Sequence, residues 1–336
     1  MSYAPYEPSS GHAQTPAGVR SLFESRVGRD ASQLIEIGLV NNMPDAALRA
    51  TERQIRSLLE RSCGELHFNL RVYTIPEMPR SEMGRELARN YRDIAELWKT
   101  PLDGIIVTGT EPRSEDLRNE PYWYTLTRLM EWADDHTTSS IWSCLAAHAA
   151  LLHMDGIERR RLSEKRFGVF ECTRETRHFL TEGLPDRLSM PHSRWNELAV
   201  DDLVAAGYSV LTRSAEAGAD AFMKQRRSLF LFFQGHPEYD ADTLLLEYRR
   251  DIGRYLRRER ETYPTAPRGC FDGPVLQGVQ MLRLLAAQHR DEATLAAFPL
   301  ALATNHAENT WRETAAALYR NWLHYLAVHS TRVTAG

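Results

Sequence analysis

No stretch of this 336-residue chain approaches the ~18–20 consecutive apolar residues that a membrane-spanning helix requires. The densest apolar run, Leu229-Phe230-Leu231-Phe232-Phe233, has only the length of a strand, so no membrane partner is expected. Cysteine is scarce: Cys63, Cys144, Cys172 and Cys270 are scattered without CxxC spacing. That excludes a disulfide framework and points to a reducing, cytoplasmic setting. No His/Cys/Asp cluster has zinc-ligand spacing, so no metal is expected. Charge of one sign does not dominate either, since 41 Lys and Arg against 45 Asp and Glu leave −4. Without a basic stripe, nucleic acid is not an expected partner. Internal repeats and low-complexity tracts are missing. The opening MSYAPYEPSSGHAQTPAG has no apolar stretch behind a basic start, as a signal peptide would. Residues 1–30 are expected to form a mobile tail, and residues 31–330 a single α/β domain with a helical C-terminal section.

What is present is an ordinary globular composition, 43% hydrophobic and 26% charged, in a chain long enough to bury a sizeable core. Gln33 to Val40 reads as a buried strand, and Asp45 suits the N-cap of a helix running to about Arg61. Leu66, Phe68, Leu70 and Val72 alternate with polar residues, the period of a second strand. ELARNYRDIAELW places Leu87, Tyr91, Ile94 and Leu97 on one helical face. LDGIIVTG is a central strand ending in a glycine turn, Pro121 to His136 is a helix, and SSIWSC is a short strand running directly into the helix LAAHAALLHM. This alternation predicts an α/β fold, a mostly parallel sheet with helices on both faces.

Residues 168–234 carry further strand signals, with Arg226 and Arg227 at a hairpin tip. TLLLEYRRDIGRYLRRERE reads as one long helix, and two more follow. Trp311, Leu318, Trp322 and Tyr325 fall at helical spacing and are expected to be core or dimer packing.

Chemistry is expected at Cys144. A strand that ends on Ser143-Cys144 and starts a helix at once sets the thiol on a tight turn above the carboxyl ends of a parallel sheet. Backbone N–H groups at the helix start, notably that of Leu145, would stabilise a thiolate and an oxyanion. Gln234-Gly235-His236-Pro237-Glu238 closes another apolar strand with an imidazole and a carboxylate two residues apart. One ring nitrogen can face a thiol while the other is oriented by the carboxylate, which predicts a Cys144-His236-Glu238 triad. Cys63, Cys172 and Cys270 have no such setting and are expected to be structural. The basic clusters at Arg159-Arg160-Arg161 and from Arg254 to Arg260 read as solvated surface.

The ordered motifs NNMPDAALRATERQ, LDGIIVTGTEP, EPYW, SSIWSCLAAHAALLHMDGI, SEKRFGVFE, MPHSRWNEL, GHPEYDADTLLLEYRRD and TWRETAAALYRNWLHY resemble the homoserine O-succinyltransferase/O-acetyltransferase family. That family is the acyltransferase branch of the class I glutamine amidotransferase-like superfamily. The resemblance runs from about Leu34 to Tyr325 and implies a glutamine amidotransferase-like fold of flavodoxin-like layering. It implies acyl transfer from a coenzyme A thioester, a co-substrate and not a bound cofactor, to homoserine in methionine biosynthesis. On it Cys144 is the nucleophile, His236 the general base and acid, and Glu238 its orienting partner. Lys165, Ser193 and Arg250 match positions lining the substrate site, and a homodimer is implied.

Departures from the family pattern lie at Asp45-Ala46, at Gly109-Thr110-Glu111-Pro112-Arg113 and at Trp311-Arg312-Glu313-Thr314-Ala315. The residue four after the loop glycine influences acyl choice in the family, and here it is Arg113. A cation there would attract the free carboxylate of succinyl, so succinyl-CoA is expected over acetyl-CoA. A shift of one residue would put Glu111 or Ser114 there instead. Alternatives are an O-acyltransferase for serine or another hydroxy amino acid, a glutamine amidotransferase-like enzyme, and a non-catalytic relative. The amidotransferase reading is weakened because Trp142-Ser143-Cys144-Leu145-Ala146 lacks flanking glycines.

Overall fold

A computed structural model describes residues 34–305 and 307–330; the expected tail at residues 1–30 lies outside them. In chain order the strands are β1 (Ile35–Val40), β2 (Phe68–Thr74), β3 (Arg92–Asp93), β4 (Gly104–Val107), β5 (Ser139–Ser143), β6 (Arg160–Arg174), β7 (Arg187–Glu197), β8 (Ser209–Ser214), β9 (Gly218–Gln225) and β10 (Leu229–Phe233). The helices are α1 (Leu48–Ser62), α2 (Glu82–Leu87), α3 (Ile94–Leu97), α4 (Trp123–His136), α5 (Leu145–Asp155), α6 (Val200–Ala205), α7 (Thr243–Leu256), α8 (Gly273–Gln288), α9 (Leu300–Asn305) and α10 (Arg312–His329).

The strands form one sheet in the order β3-β2-β1-β4-β5-β10-β9-β8-β6-β7. From β3 to β10 every neighbouring pair is parallel, and from β10 to β7 every pair is antiparallel. β5 and β10 run side by side in register, Ser143 opposite Phe233, so the chain leaves both at the same carboxyl edge. That pairing brings two sequence-distant strand ends together.

Both faces of the central parallel strands are covered, which is why β4 (GIIV) and β10 (LFLFF) are apolar throughout instead of alternating. Ile37, Ile106, Ile141, Leu231 and Phe233 join one core with residues of α1, α7, α8 and α10. Val40, Ile105, Trp142, Phe230 and Phe232 join the other with residues of α4 and α5. Trp311, Leu318 and Trp322 are fully buried core, and Tyr325 packs against it. Trp322 donates its indole N–H to Ser139 Oγ (2.9 Å) and lies over Gly104, where a Cβ would sit 2.8 Å from its ring.

Three local expectations are corrected. Asp45 does not cap α1: Ala47 holds that position, and the Asp45 carboxylate instead accepts from the Ser81 N–H and hydroxyl and pairs with Arg80 at 3.2 Å. The stretch from Glu86 to Trp98 is not one helix. It breaks between α2 and α3, where Tyr91 is drawn off to Glu52 Oε2 (2.9 Å) and Asp93 caps a new turn through the Ala95 N–H. α7 stops at Leu256 because Arg258 takes φ 63°, and the predicted continuation to Glu261 is irregular.

Candidate active site

Cys144 stands at the N-cap of α5 with φ 53° and ψ −114°, a backbone conformation that is strained for a residue with a Cβ. Its amide donates to Phe233 O at 2.7 Å, continuing the β5–β10 ladder by one step before the turn. Strain at a strand-to-helix junction is the geometry of a nucleophile elbow. Gly109, just beyond β4, lies against this turn: a Cβ there would come within 2.9 Å of the Leu145 amide nitrogen. Leu145 opens α5, so its N–H has no acceptor within the helix.

His236 follows β10 by three residues and is fixed by its own backbone, whose N–H donates to Pro191 O (2.8 Å). Its Nδ1 meets Glu238 Oε1 at 2.9 Å, its side chain is within reach of Cys144, and its ring stacks on Tyr239 at 4.3 Å. Burial opposes a charged imidazole here, yet the Glu238 carboxylate and Cys144 outweigh it and hold the His236 pKa well above the ordinary value. The three predicted residues are thus together, as a thiol, an imidazole and a carboxylate in series. Such a series can hold and move a proton at a nucleophile.

The other predicted positions form a second group next to it. Lys165 Nζ lies 3.3 Å from Asp251 Oδ2 and 3.5 Å from Glu247 Oε2. Ser193 donates to Glu247 Oε2, and Tyr239 to Glu247 Oε1, so Glu247 joins this group to the ring stacked on His236. Arg250 pairs with Asp251 at 2.9 Å. Glu247 was missed by sequence reasoning; the available signal was its place three residues before Arg250, on the same face of α7.

Arg113 is exposed, and its backbone N–H is held by Glu120 Oε1 together with that of Ser114. Glu111 forms a two-pronged pair with Arg254 at 2.9 and 3.0 Å, tying the loop after β4 to α7. Arg159, read from sequence as surface, is half-buried. It donates to Glu115 O (2.8 Å) and lies within electrostatic range of Cys144. Its neighbours Arg160 and Arg161 are engaged at the surface, with Asp202 (2.7 Å) and over the Trp195 ring (4.6 Å).

The remaining cysteines show no such arrangement. Burial pushes the Cys172 thiol far up and that of Cys270 up to about 12, and Cys63 Sγ rests on Glu60 O at the end of α1. Among the described residues one group has metal-ligand chemistry: Cys172, His192 and Asp220, all buried. Arg194 Nε donates to His192 Nδ1 (3.4 Å), which leaves the ring proton on Nε2, facing Asp220 Oδ1 at 3.4 Å. In this tautomer Nε2 presents a proton and not a lone pair, so the three side chains are not a ready donor set for a metal ion, and neither Nε2 nor Asp220 Oδ1 has a hydrogen-bond partner among the described residues.

The sequence profile of the family described as homoserine O-succinyltransferase matches residues 14–333. A homoserine O-succinyltransferase of Rhodopseudomonas palustris is 50% identical over 314 residues, covering 93% of this chain and 94% of the relative. One of Bradyrhizobium japonicum is 44% identical, covering 94% and 95%. Among solved structures, a glutamine amidotransferase of Methylobacillus flagellatus matches at a TM-score of 0.50 and 15% identity, over 87% of this chain and 94% of that one, a likeness of fold. Matched nearly end to end by the profile and by relatives at up to half identity, the chain belongs to the homoserine O-succinyltransferase family.

Proposed function

We propose that this protein transfers an acyl group, succinyl in preference to acetyl, from a coenzyme A thioester to the hydroxyl of homoserine through an acyl-cysteine at Cys144. The observation that carries the reading is the strained Cys144 turn within reach of a Glu238-held His236. In the first half-reaction the Cys144 thiolate attacks the thioester carbonyl, and the oxyanion forms beside the Leu145 N–H, in the space Gly109 leaves open. The C–S bond to coenzyme A breaks, and the leaving thiolate takes the proton from the His236 imidazolium. In the second, neutral His236 removes the proton of the acceptor hydroxyl, whose oxygen attacks the Cys144 thioester. The ester leaves and the Cys144 thiolate is restored beside a protonated His236.

The acceptor is read from the names of the relatives and from the group around Lys165. Glu247 suits the acceptor's ammonium, and Lys165, Ser193 and Arg250 suit its carboxylate and hydroxyl. The acyl preference is supported by the relatives' names and by charge. Arg113 and Arg159 stand on the side of the loop after β4, and the Glu111 carboxylate is paired with Arg254, which favours a succinyl carboxylate on the cationic side of that loop. A homodimer in a reducing cytoplasm completes the reading.

A matrix of succinyl- and acetyl-CoA against homoserine, serine and no acceptor, followed by coenzyme A release, tests it. Fastest release with succinyl-CoA and homoserine is expected. A higher kcat/KM with serine would replace the acceptor. Ammonia release from glutamine with no acyl transfer would replace the reaction class.

A further inference from the structure

β7 carries the P-H-S-R stretch, and alternate residues of a strand face opposite ways. Ser193 faces Glu247 and the proposed substrate group, whereas His192 and Arg194 point into the buried interior, 0% and 3% exposed. Nothing in the acyl-transfer steps uses them. They end against Asp220 of β9, itself 0% exposed. Arg194 Nε meets His192 Nδ1, His192 Nε2 meets Asp220 Oδ1, and Asp220 Oδ2 accepts from Thr212 Oγ1 at 2.7 Å. Arg194 is anchored by Asn196 O (2.8 Å) and Ala217 O.

Asp220 in turn lies under the turn that carries His236. Its backbone carbonyl accepts from the Gln234 N–H (2.8 Å), and its carboxylate occupies the space that a Cβ on Gly235 would fill. The next amide, that of His236, is held by Pro191 O immediately before His192 in β7. The buried series therefore meets the Gly235-His236 turn from β7 and from β9 at once.

We infer that Asp220, packed against a neutral His192 and Arg194, is a positioning residue for His236: it fixes the turn that aims the imidazole at Cys144 and sets a second carboxylate behind it, as Glu238 sets the first. A buried carboxylate without a hydrogen-bonding purpose is costly, and this one has no solvent to share its charge. Charged and titratable groups reach His236 from several sides: Glu238 and Tyr239 from its own turn, Cys144 from the start of α5, His192 from β7, and Asp220 from β9, with Arg194 of β7 beside His192. Burial raises the Asp220 pKa to about 6, and above that pH its carboxylate attracts both the imidazolium and Arg194. Glu238 and Cys144 carry the main electrostatic support for His236⁺, and Asp220 adds a second carboxylate within charge range of it.

This inference rests on the acyl-cysteine reading, and the experiment separates the two. The full chain is mixed with succinyl-CoA without acceptor, quenched over time, and the acyl adduct followed by intact mass at several pH values. Asp220→Asn is expected to slow acylation about tenfold or more, since small misplacements of a reacting group cost that much. KM for succinyl-CoA should change less than about twofold. The basic limb of the pH profile should move to lower pH, because removing the anion releases the imidazolium proton more easily. His192→Gln, which keeps a donor in the place of Nε2, should retain most of the rate, and His192→Phe should lose it. This pair decides the matter should Asp220→Asn fail to fold, with far-UV circular dichroism as the check. Wild-type rates and profiles in Asp220→Asn or His192→Phe would overturn the inference, as would a loss confined to KM. No adduct on the wild type would overturn the acyl-cysteine reading instead.

Discussion

Cys144 and His236 owe their proposed reactivity to different causes. The cysteine is set apart by its backbone, held at a positive φ by the Phe233 ladder bond behind it and by α5 ahead. The histidine is set apart by charge, since burial alone would keep it neutral and Glu238 with Cys144 reverses that. The raised pKa fixes the sign of a stability effect. A group whose pKa is higher in the folded state stabilises the fold fully below its unfolded value, 6.5 for this imidazole, and loses that contribution as pH rises through the folded value. The Glu238→Gln variant removes the partner, so its deficit in unfolding free energy against wild type should be largest near and below pH 6.5 and shrink toward alkaline pH. Urea unfolding at several pH values reads this directly, and a deficit that grows with pH would contradict it. At the same scale, Arg159→Met should lower the ratio of succinyl to acetyl kcat/KM. Arg113→Met tests whether the exposed loop cation shares that role, and unchanged ratios in both variants would remove charge as the basis of acyl choice.

The site is a property of junctions between elements. β5 and β10 are adjacent parallel strands, and the turn after each supplies one partner of the Cys144-His236 contact. The loop after β4 supplies the close approach at Gly109, where a side chain would press on the backbone at Leu145 N and Ser143 O. Backbone cannot yield as a flexible side chain would, so Gly109→Ala should slow coenzyme A release about tenfold or more while costing about 1–3 kcal/mol of stability. An unchanged kcat would show that the Leu145 amide is not where the oxyanion forms. These junctions were legible because strand ends carry local signals: an apolar run, then SC before an Ala/Leu helix, or QGHPE. The Glu86–Trp98 stretch was misread because its apolar spacing suits a helix, while the side chains that break it, Asp93 and Tyr91, find their partners in the folded chain. Asp45 was misread for the same reason, its competing partners Arg80 and Ser81 lying far along the chain. Glu247 could have been found from its place three residues before Arg250, whereas the approach of His192 to Asp220 was illegible because how β7 and β9 come together is set by tertiary packing.

Across the whole molecule the sheet changes character at β10, with parallel strands on one side and antiparallel strands on the other. The parallel block supplies the Cys144 elbow, and the antiparallel block supplies Ser193, His192 and Asp220, so the proposed site lies where the two meet. α10 braces the parallel block from one face, with Trp322 fully buried over Gly104 and bonded to Ser139. Trp322→Ala should cost about 3–5 kcal/mol in chemical denaturation through the cavity it leaves and the lost indole bond. A cost below about 1 kcal/mol would mean that α10 is not part of the supporting core. The central claim is that the acyl group passes through Cys144, and its most direct measurement is the intact mass of wild type and Cys144→Ala after mixing with succinyl-CoA alone. The account predicts one succinyl group on the wild type, discharged when homoserine is added, and none on the variant. An equal adduct on Cys144→Ala, or a wild-type adduct that homoserine does not discharge, would contradict it.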